Sequence, residues 1–268
     1  MSSKTCCPEG SHGYLAAEGT DVGAVKAHEG VEFYECGDSG ATEALLIIPD
    51  VWGWNGGRTR RVADYLSQNL SQPTLCIVPK LLSPAFEGGT DGDALPPDFD
   101  MASRREEFTE YIGQYKFDKV ILPKLKTLFA YISSKGITKV KIVGICWGFW
   151  VAAKLLNVKD LAGIVVACVA PHPSVTLEEN IFAKDSVQVM KGINTPTLLL
   201  PTKNDPDSYR EGGELLEALL EGDNTQSGYS DYKEVSHGFL VRGDTGDGTV
   251  KTHVDRAIKE TIDFLNKY

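Results

Sequence analysis

The 268-residue sequence lacks any apolar run close to the ~20 residues that a membrane-spanning helix needs. Residues 1–13 also lack the apolar core of a signal peptide. Basic residues are scarce, since 27 Lys and Arg face 37 Asp and Glu and give a formal net charge of −10. That charge disfavours nucleic acid and anionic membranes as partners. We therefore expect a cytoplasmic protein with no nucleic-acid or membrane partner.

Cysteine is also too scarce to form a disulfide framework. Six Cys are spread over the chain, and a reducing compartment would keep them as thiols. Cys6 and Cys7 are adjacent, but no second pair lies at zinc-site spacing, and His12 alone does not complete a site. We expect residues 1–30, which show no periodicity, to form an irregular lead-in, and a metal site there is the weaker alternative.

From residue 31 onward, short apolar segments alternate with amphipathic ones. The predicted strands cover 31–35, 44–48, 74–78, 140–143, 161–169, 197–200 and 230–235. The predicted helices cover 58–69, 103–114, 117–135, 149–156, 209–221 and 250–268, with helical fragments over 175–193. This alternation predicts one α/β domain over residues 31–268, with a largely parallel sheet covered on both faces. A long loop over 81–102 could cover a site at the carboxyl ends of the strands.

The segment Gly144-Ile145-Cys146-Trp147-Gly148 joins a predicted buried strand to a predicted helix. Strand, Gly-x-Cys-x-Gly and helix together indicate a nucleophile elbow, which is typical of the α/β-hydrolase fold. The glycines are needed because the turn is so sharp that side chains there would clash. A thiol at a helix N-terminus can have a lowered pKa. The alternative is a buried structural cysteine between ordinary loop glycines.

Cys146, Asp205 and His237 each follow a predicted strand and therefore meet at one edge of the sheet. Their chain order, nucleophile, acid and histidine, is that of the α/β-hydrolases. Asp207 is a rival for the acid, but Asp205 lies nearer the strand end. His172 precedes the acid, so we interpret it as a pocket-wall residue or a structural one. The remaining histidines are expected on the surface; they are His12, His28 and His253.

An oxyanion hole should use the backbone N–H of Trp147 and a second N–H from the loop after the 44–48 strand, which we assign to Val51. Aromatic side chains follow these strands. We place Trp52 and Trp147 near the site and treat the other aromatics as core residues.

These residues resemble the dienelactone hydrolase family. The resemblance spans about residues 30–268 and rests on the Cys146 elbow, the Asn204-Asp205 loop and the Ser236-His237-Gly238-Phe239 segment. Asp50-Val51-Trp52-Gly53 is similar to the family's oxyanion loop. The Cys6-Cys7 lead-in and the segment over 170–174 are most similar to the eukaryotic carboxymethylenebutenolidase-like branch.

The resemblance implies hydrolysis of an enol-lactone or activated ester through a thioester, without a metal or organic cofactor. It implies that an acid in the oxyanion loop contacts the resting thiol, and Asp50 holds that position where the bacterial enzymes have Glu. It also implies two arginines that bind a substrate carboxylate. Arg242 would be one and Arg104 or Arg105 the other, with Arg242 near the mouth of the site.

Two other functions are compatible with the sequence. One is a broad carboxylesterase or thioesterase, and the other is a non-catalytic α/β-hydrolase-fold protein that binds ligands or proteins. Convergent arginines would favour lactone acids, whereas their absence would favour neutral esters. A histidine turned away from Cys146 would favour the non-catalytic protein. We expect a monomer or a homodimer that binds a small-molecule lactone or ester.

Overall fold

The computed structural model describes residues 7–15, 17–86, 103–221 and 224–268. Cys6 and most of the predicted 81–102 loop lie outside the described residues. Within the described ranges, eight strands form one sheet. The strands are β1 (Ala24–His28), β2 (Val31–Gly37), β3 (Glu43–Ile48), β4 (Thr74–Pro79), β5 (Val140–Gly144), β6 (Val165–Pro171), β7 (Thr197–Leu200) and β8 (Gly228–Tyr229).

The spatial order of the sheet is β1-β2-β4-β3-β5-β6-β7-β8. The β1–β2 and β2–β4 pairs are antiparallel, and the other pairs in this order are parallel. The sheet is therefore mostly parallel, as predicted. Parallel strands aligned in this way bring their carboxyl ends to one edge, where the loops that follow β3, β5, β6 and β7 converge.

Helices connect the strands. They are α1 (Thr59–Asn69), α2 (Arg105–Gln114), α3 (Leu122–Ser134), α4 (Trp147–Leu155), α5 (Lys159–Ala162), α6 (Leu177–Asn180), α7 (Ser186–Lys191), α8 (Glu214–Leu220), α9 (Phe239–Arg242) and α10 (Gly248–Leu265). A π-helical turn over Phe117–Ile121 precedes α3, and a 3₁₀ turn covers Asp207–Tyr209. In one group α1 packs on α10, and in another α4 packs on α6 and α7.

The core lies on the central strands. Every residue of β3, β4 and β5 is buried, so their sequences are nearly continuous apolar runs rather than alternating ones. Burying one Leu or Ile side chain contributes roughly 1.5–3 kcal/mol, and β3 alone buries Leu45, Leu46, Ile47 and Ile48 completely. This packing gives the loops at the carboxyl edge a rigid base.

The predicted irregular lead-in contains a strand, so that part of the prediction is wrong. β1 pairs with β2 at the edge of the sheet, with Val25 opposite Tyr34. Its residues are exposed or only partly buried, with Val25 53% exposed. β1 is held by backbone hydrogen bonds to β2, by the ion pair of Lys26 with Glu35 and by contact of His28 with Tyr131. A strand with no buried face leaves no hydrophobic pattern in the sequence.

Two predicted strands differ from the structure. Leu161 lies in α5 and β6 begins only at Val165, because a short apolar run does not distinguish a strand from a buried helical turn. The last strand is the two-residue β8, and beyond it only a single bridge joins Thr202 to Tyr232. Pro201 follows β7 and has no N–H to donate, which interrupts the ladder at that point.

Candidate active site

Cys146 lies at the sharp turn between β5 and α4. Its φ and ψ are 53° and −115°, a conformation that is strained for any residue other than glycine. A Cβ added at Gly144 would lie 2.8 Å from the carbonyl oxygen of Gly148, and one at Gly148 would lie 2.1 Å from the oxygen of Ile48. The turn therefore requires both glycines, as the sequence predicted, and it presses the start of α4 against the loop after β3.

His237 and Asp205 are paired beyond the ends of β8 and β7. His237 Nδ1 lies 2.7 Å from Asp205 Oδ1, and both side chains are completely buried. The second oxygen of Asp205 accepts hydrogen bonds from the N–H and hydroxyl of Thr202, each at 2.7 Å. The backbone N–H of His237 donates to Asn204 Oδ1. These contacts fix the carboxylate and direct the other ring nitrogen of His237 away from it.

Asp207, the rival acid, is excluded by its position. Its side chain is fully exposed and faces Arg210 at 3.3 Å. Arg210 also donates to the backbone oxygens of Asp205 and Thr202, so this loop is held together around Asp205. Among the two aspartates, the structure brings only Asp205 to a histidine.

The thiol of Cys146 is fully buried among three polar side chains. His237 offers a ring nitrogen within 4.8 Å. Ser174 Oγ lies 3.5 Å from the sulfur, and Cys7 Sγ lies 4.0 Å from it. The structure therefore brings Cys146 close to His237, and His237 is hydrogen-bonded to Asp205.

The charges around His237 perturb its protonation. Burial alone would lower the pKa of His237, but the negative charges of Cys146 and Asp205 outweigh it and raise the pKa well above its usual value. A raised pKa keeps the imidazole protonated when the thiol gives up its proton. A protonated imidazole beside a thiol favours the thiolate form of the cysteine.

His172 lies against His237, with the two ring centroids 4.6 Å apart. Burial lowers the pKa of His172 to about 3, so the ring is neutral at ordinary pH. Its φ of 38° is unusual for a residue other than glycine. The structure therefore places His172 at the wall of the site.

Asp50 and Arg242 form a buried ion pair beside the thiol. Arg242 Nε donates to Asp50 Oδ2 at 2.8 Å, and Asp50 Oδ1 accepts from the backbone N–H of Trp52. Burial raises the pKa of Asp50, and the negative charge of Cys146 adds to this, whereas Arg242 opposes it. The guanidinium lies 5.2 Å from the centre of the Trp52 ring. The expectation that Arg242 lies at the mouth of the site is wrong, because its side chain is fully buried.

Arg104 and Arg105 lie at the start of α2. Arg104 pairs with Glu107 on the same helix and lies over the ring of Phe86, which follows β4. Both arginines border residues 87–102, which lie outside the described residues. Their convergence on a substrate carboxylate therefore stays a prediction.

The two backbone N–H groups predicted to form an oxyanion hole differ from their neighbours in hydrogen bonding. Among the described residues, no acceptor is found for the N–H of Val51 or of Trp147, whereas the neighbouring N–H groups of Trp52 and Gly148 are hydrogen-bonded. Val51 lies in the loop after β3, and Trp147 is the first residue of α4. The start of α4 packs closely on the end of β3 and the loop that follows it, where Gly148 lies against Ile48 and Pro49.

Three residues near the site were not assigned from the sequence. Ser174 and Cys7 contact the thiol of Cys146. His12 was expected on the surface, but it is half-buried and its N–H donates to the carbonyl oxygen of His237. The adjacent Cys6 and Cys7 were the only signal for this segment, because contacts across the sheet edge leave no local pattern.

In the ranges that the structure describes, no helix has the length and apolar character needed to cross a bilayer. A family model described as "Dienelactone hydrolase family" matches residues 33–268. The chain is 25% identical to the hydrolase tropI of Talaromyces stipitatus, over all of this chain and 97% of that protein. It is 27% identical to the human carboxymethylenebutenolidase homolog, over 85% of this chain and 83% of that one.

Solved structures share the fold. A candidate dienelactone hydrolase from Klebsiella pneumoniae matches with a TM-score of 0.64 at 17% identity, over 96% of this chain and 98% of that one. A soluble variant of monoglyceride lipase from Saccharomyces cerevisiae matches with a TM-score of 0.55 at 10% identity, over 96% and 98%. The fold is therefore that of the α/β-hydrolases, as the sequence predicted.

Proposed function

The chain belongs to the dienelactone hydrolase family and is an ester-bond hydrolase, and we propose that it cleaves small lactones or esters with Cys146, His237 and Asp205. The observation that carries this proposal is the buried pair of His237 Nδ1 and Asp205 Oδ1 at 2.7 Å, together with a His237 ring nitrogen that lies within 4.8 Å of the Cys146 sulfur. This geometry argues against the non-catalytic alternative, which would turn the histidine away.

In the proposed first half-reaction, the Cys146 thiolate attacks the carbonyl carbon of the substrate. His237 holds the proton that the thiol has lost and donates it to the leaving oxygen as the C–O bond breaks. The raised pKa of His237 suits a group that must remain protonated until this step. Asp205 orients the ring and stabilises its positive charge.

The product of that step is a thioester on Cys146. In the second half-reaction, neutral His237 takes a proton from water, which attacks the thioester and releases the acid. The tetrahedral oxyanions of both steps would be bound by the N–H groups of Val51 and Trp147. Removing one such donor from a hydrolase slows turnover by roughly 10²–10³-fold.

The identity of the substrate depends on Arg242 and Asp50. Asp50 neutralises the Arg242 guanidinium, but Arg242 Nη2 is buried and has no hydrogen-bond partner among the described residues. A substrate carboxylate could use that donor. With Arg104 or Arg105 as a second contact, the pair would select lactone acids. Trp52, next to Arg242, would form the pocket wall together with His172.

A broad carboxylesterase or thioesterase is the second candidate. The observation in its favour is that Arg242 is fully buried and already paired with a carboxylate, so its charge is largely compensated. Comparing wild-type kcat/KM for a carboxylate-bearing enol-lactone and a neutral ester separates the two. A preference for the lactone acid supports the first candidate, and equal or better use of neutral esters supports the second.

The test of the proposed chemistry is Cys146→Ala on a panel of p-nitrophenyl esters and enol-lactones. We expect hydrolysis to fall to background while the fold is kept. Cys168→Ala is the matched control, since Cys168 is also fully buried and lies in the neighbouring strand β6. More than about a tenth of wild-type turnover in Cys146→Ala, a barrier change below about 1.4 kcal/mol, would exclude Cys146 as the nucleophile.

A further inference from the structure

Cys7 is not used by the proposed reaction, although its sulfur lies 4.0 Å from that of Cys146. It belongs to the N-terminal segment 7–15, which crosses the carboxyl edge of the sheet. Hydrogen bonds attach this segment to the site. Asn204 donates to the carbonyl oxygen of Glu9, the backbone N–H of His12 donates to the carbonyl oxygen of His237, and Arg242 donates to the carbonyl oxygens of His12 and Gly13. The position of Cys7 is therefore set by the site itself.

We propose that Cys7, Cys146 and His237 form a Zn²⁺ site that, when occupied, shuts off hydrolysis. The sulfur atoms of both cysteines and a ring nitrogen of His237 all lie within 4.8 Å of one another. Tetrahedral zinc, with Zn–S near 2.3 Å and Zn–N near 2.0–2.1 Å, places its donors about 3.6–3.8 Å apart. The two sulfurs, 4.0 Å apart, are already near that spacing. The ring nitrogen, which lies within 4.8 Å of both sulfurs, would have to move inward by at most about 1.2 Å.

The histidine is prepared for metal binding. His237 Nε2 is buried and has no hydrogen-bond partner among the described residues, whereas Nδ1 is held by Asp205 at 2.7 Å. A carboxylate that holds the second nitrogen of a ligating histidine is the usual outer-shell arrangement at zinc. Asp205 would therefore orient His237 as a base in the metal-free protein and as a ligand in the zinc-bound protein.

The charges also fit a divalent cation bound by thiolates. The buried ion pair of Arg242 and Asp50 carries no net charge, so the negative charge at the site comes from the two sulfurs as thiolates, the form of cysteine that binds metal. Two thiolates neutralise Zn²⁺, and thiolate with imidazole selects zinc over hard cations such as Mg²⁺. Three protein ligands leave the fourth position to water.

The inhibition, but not the binding, rests on the proposed function. Zinc would occupy the Cys146 sulfur and His237 Nε2, which are the nucleophile and the base. Substrate and Zn²⁺ should therefore exclude each other, with Cys7 contributing only to the metal-bound state.

The test measures Zn²⁺ and Co²⁺ binding to the full-length protein, kept reduced with a phosphine reductant. We expect one Zn²⁺ per chain and a thiolate-to-Co²⁺ charge-transfer band. Asp205→Asn removes an outer-shell partner of His237 and should weaken Zn²⁺ binding by about 10–100-fold. Cys7→Ser removes a ligand and should weaken it by at least about tenfold. Cys36→Ser is the matched control, since Cys36 and Cys7 are each 7% exposed, and it should bind as wild type does.

Inhibition is measured in parallel, with each variant normalised to its own metal-free activity. Cys7→Ser should need at least about tenfold more Zn²⁺ for half inhibition than wild type. Equal zinc affinity in wild type and Cys7→Ser, or loss of binding in Cys36→Ser instead, would overturn the proposal. If zinc binding requires Cys7 but hydrolysis does not require Cys146, the metal site stands and the proposed function is refuted. If hydrolysis requires Cys146 but the protein does not bind zinc, the proposed function stands and the metal site is refuted.

Discussion

The N-terminal ends of the parallel strands, here called the amino edge, and their C-terminal ends, the carboxyl edge, each hold a buried ion pair. The polar groups around the two pairs differ. At the amino edge, Lys141 of β5 lies 2.6 Å from Glu43 of β3, and Lys139 lies 3.7 Å away. At the carboxyl edge, the pair of Asp50 and Arg242 adjoins a thiol and two histidine rings. The first pair joins two neighbouring strands, whereas the second joins the loop after β3 to α9, 192 residues further along the chain.

Backbone strain and unpartnered polar atoms lie at the carboxyl edge. Cys146 and His172 adopt positive φ there, and the described hydrogen bonds include no partner for His237 Nε2 or for the N–H groups of Val51 and Trp147. Strain and unsatisfied groups reduce stability and are often found at functional sites. Their presence at the carboxyl edge therefore supports the proposal that the reaction takes place there.

The largest expected effect that sharpens this comparison is that of Asp205→Asn. The amide would hold His237 in the wrong tautomer, because its NH₂ group donates where the carboxylate accepts. We expect kcat/KM to fall by about 10³-fold or more, by analogy with the serine triad. Steady-state kinetics with a p-nitrophenyl ester measure the change, and Asp207→Asn is the matched control. A loss of kcat/KM below about tenfold would mean that Asp205 is not the acid that orients His237.

The next effect compares the two ion pairs through Lys141→Met and Arg242→Met. Each variant leaves a carboxylate buried and unpaired, which destabilises a fold by about 3–5 kcal/mol. Lys139 can partly compensate at Glu43, so the loss for Lys141→Met should be the smaller one. Denaturant unfolding measures both. The kcat/KM of the folded enzyme should fall in Arg242→Met alone, and an equal fall in Lys141→Met would contradict the division between the edges.

The smallest expected effect concerns the buried, neutral His172. Its folded pKa of about 3 is below the unfolded value of about 6.5, so the unfolded state binds a proton that the folded state does not between these pH values. Stability must therefore fall as the pH drops below 6.5. By pH 5 the loss should reach about 2 kcal/mol.

The variant His172→Gln removes this titration. Urea unfolding at pH 7.5 and pH 5 should show wild type losing about 2 kcal/mol more than the variant over that interval. His253→Gln, which changes a histidine on the outer helix α10, should behave as wild type does. An identical pH dependence in wild type and His172→Gln would mean that His172 takes up its proton in the folded state.

The sequence predicted those parts of the site that depend on position along a strand. Cys146, Asp205 and His237 each follow a strand or its extension, and alternation of strands with helices is enough to bring such residues to one edge. The two glycines around Cys146 were equally predictable, because a turn this tight excludes a Cβ at both positions.

Contacts made across the edge could not be predicted. The ion pair of Arg242 with Asp50 depends on how deeply α9 is buried. The local sequence pattern does not predict that depth. The approach of Cys7 to Cys146 depends on the path of the N-terminal segment over the site, and that segment has no periodicity. β1 was missed for the related reason that its residues are exposed or partly buried and its contacts are made to β2 and to Tyr131 of α3.

The most direct measurement of the central claim is to trap the acyl-enzyme. Wild-type protein is mixed with p-nitrophenyl acetate, quenched in acid within a single turnover and digested for mass spectrometry. We expect one acetyl group on the peptide that contains Cys146, and it should be labile to hydroxylamine as a thioester is. Cys146→Ala should carry no such adduct. An acetyl group on Ser174 or Cys7 instead, or hydrolysis with no acyl-enzyme on Cys146, would contradict it.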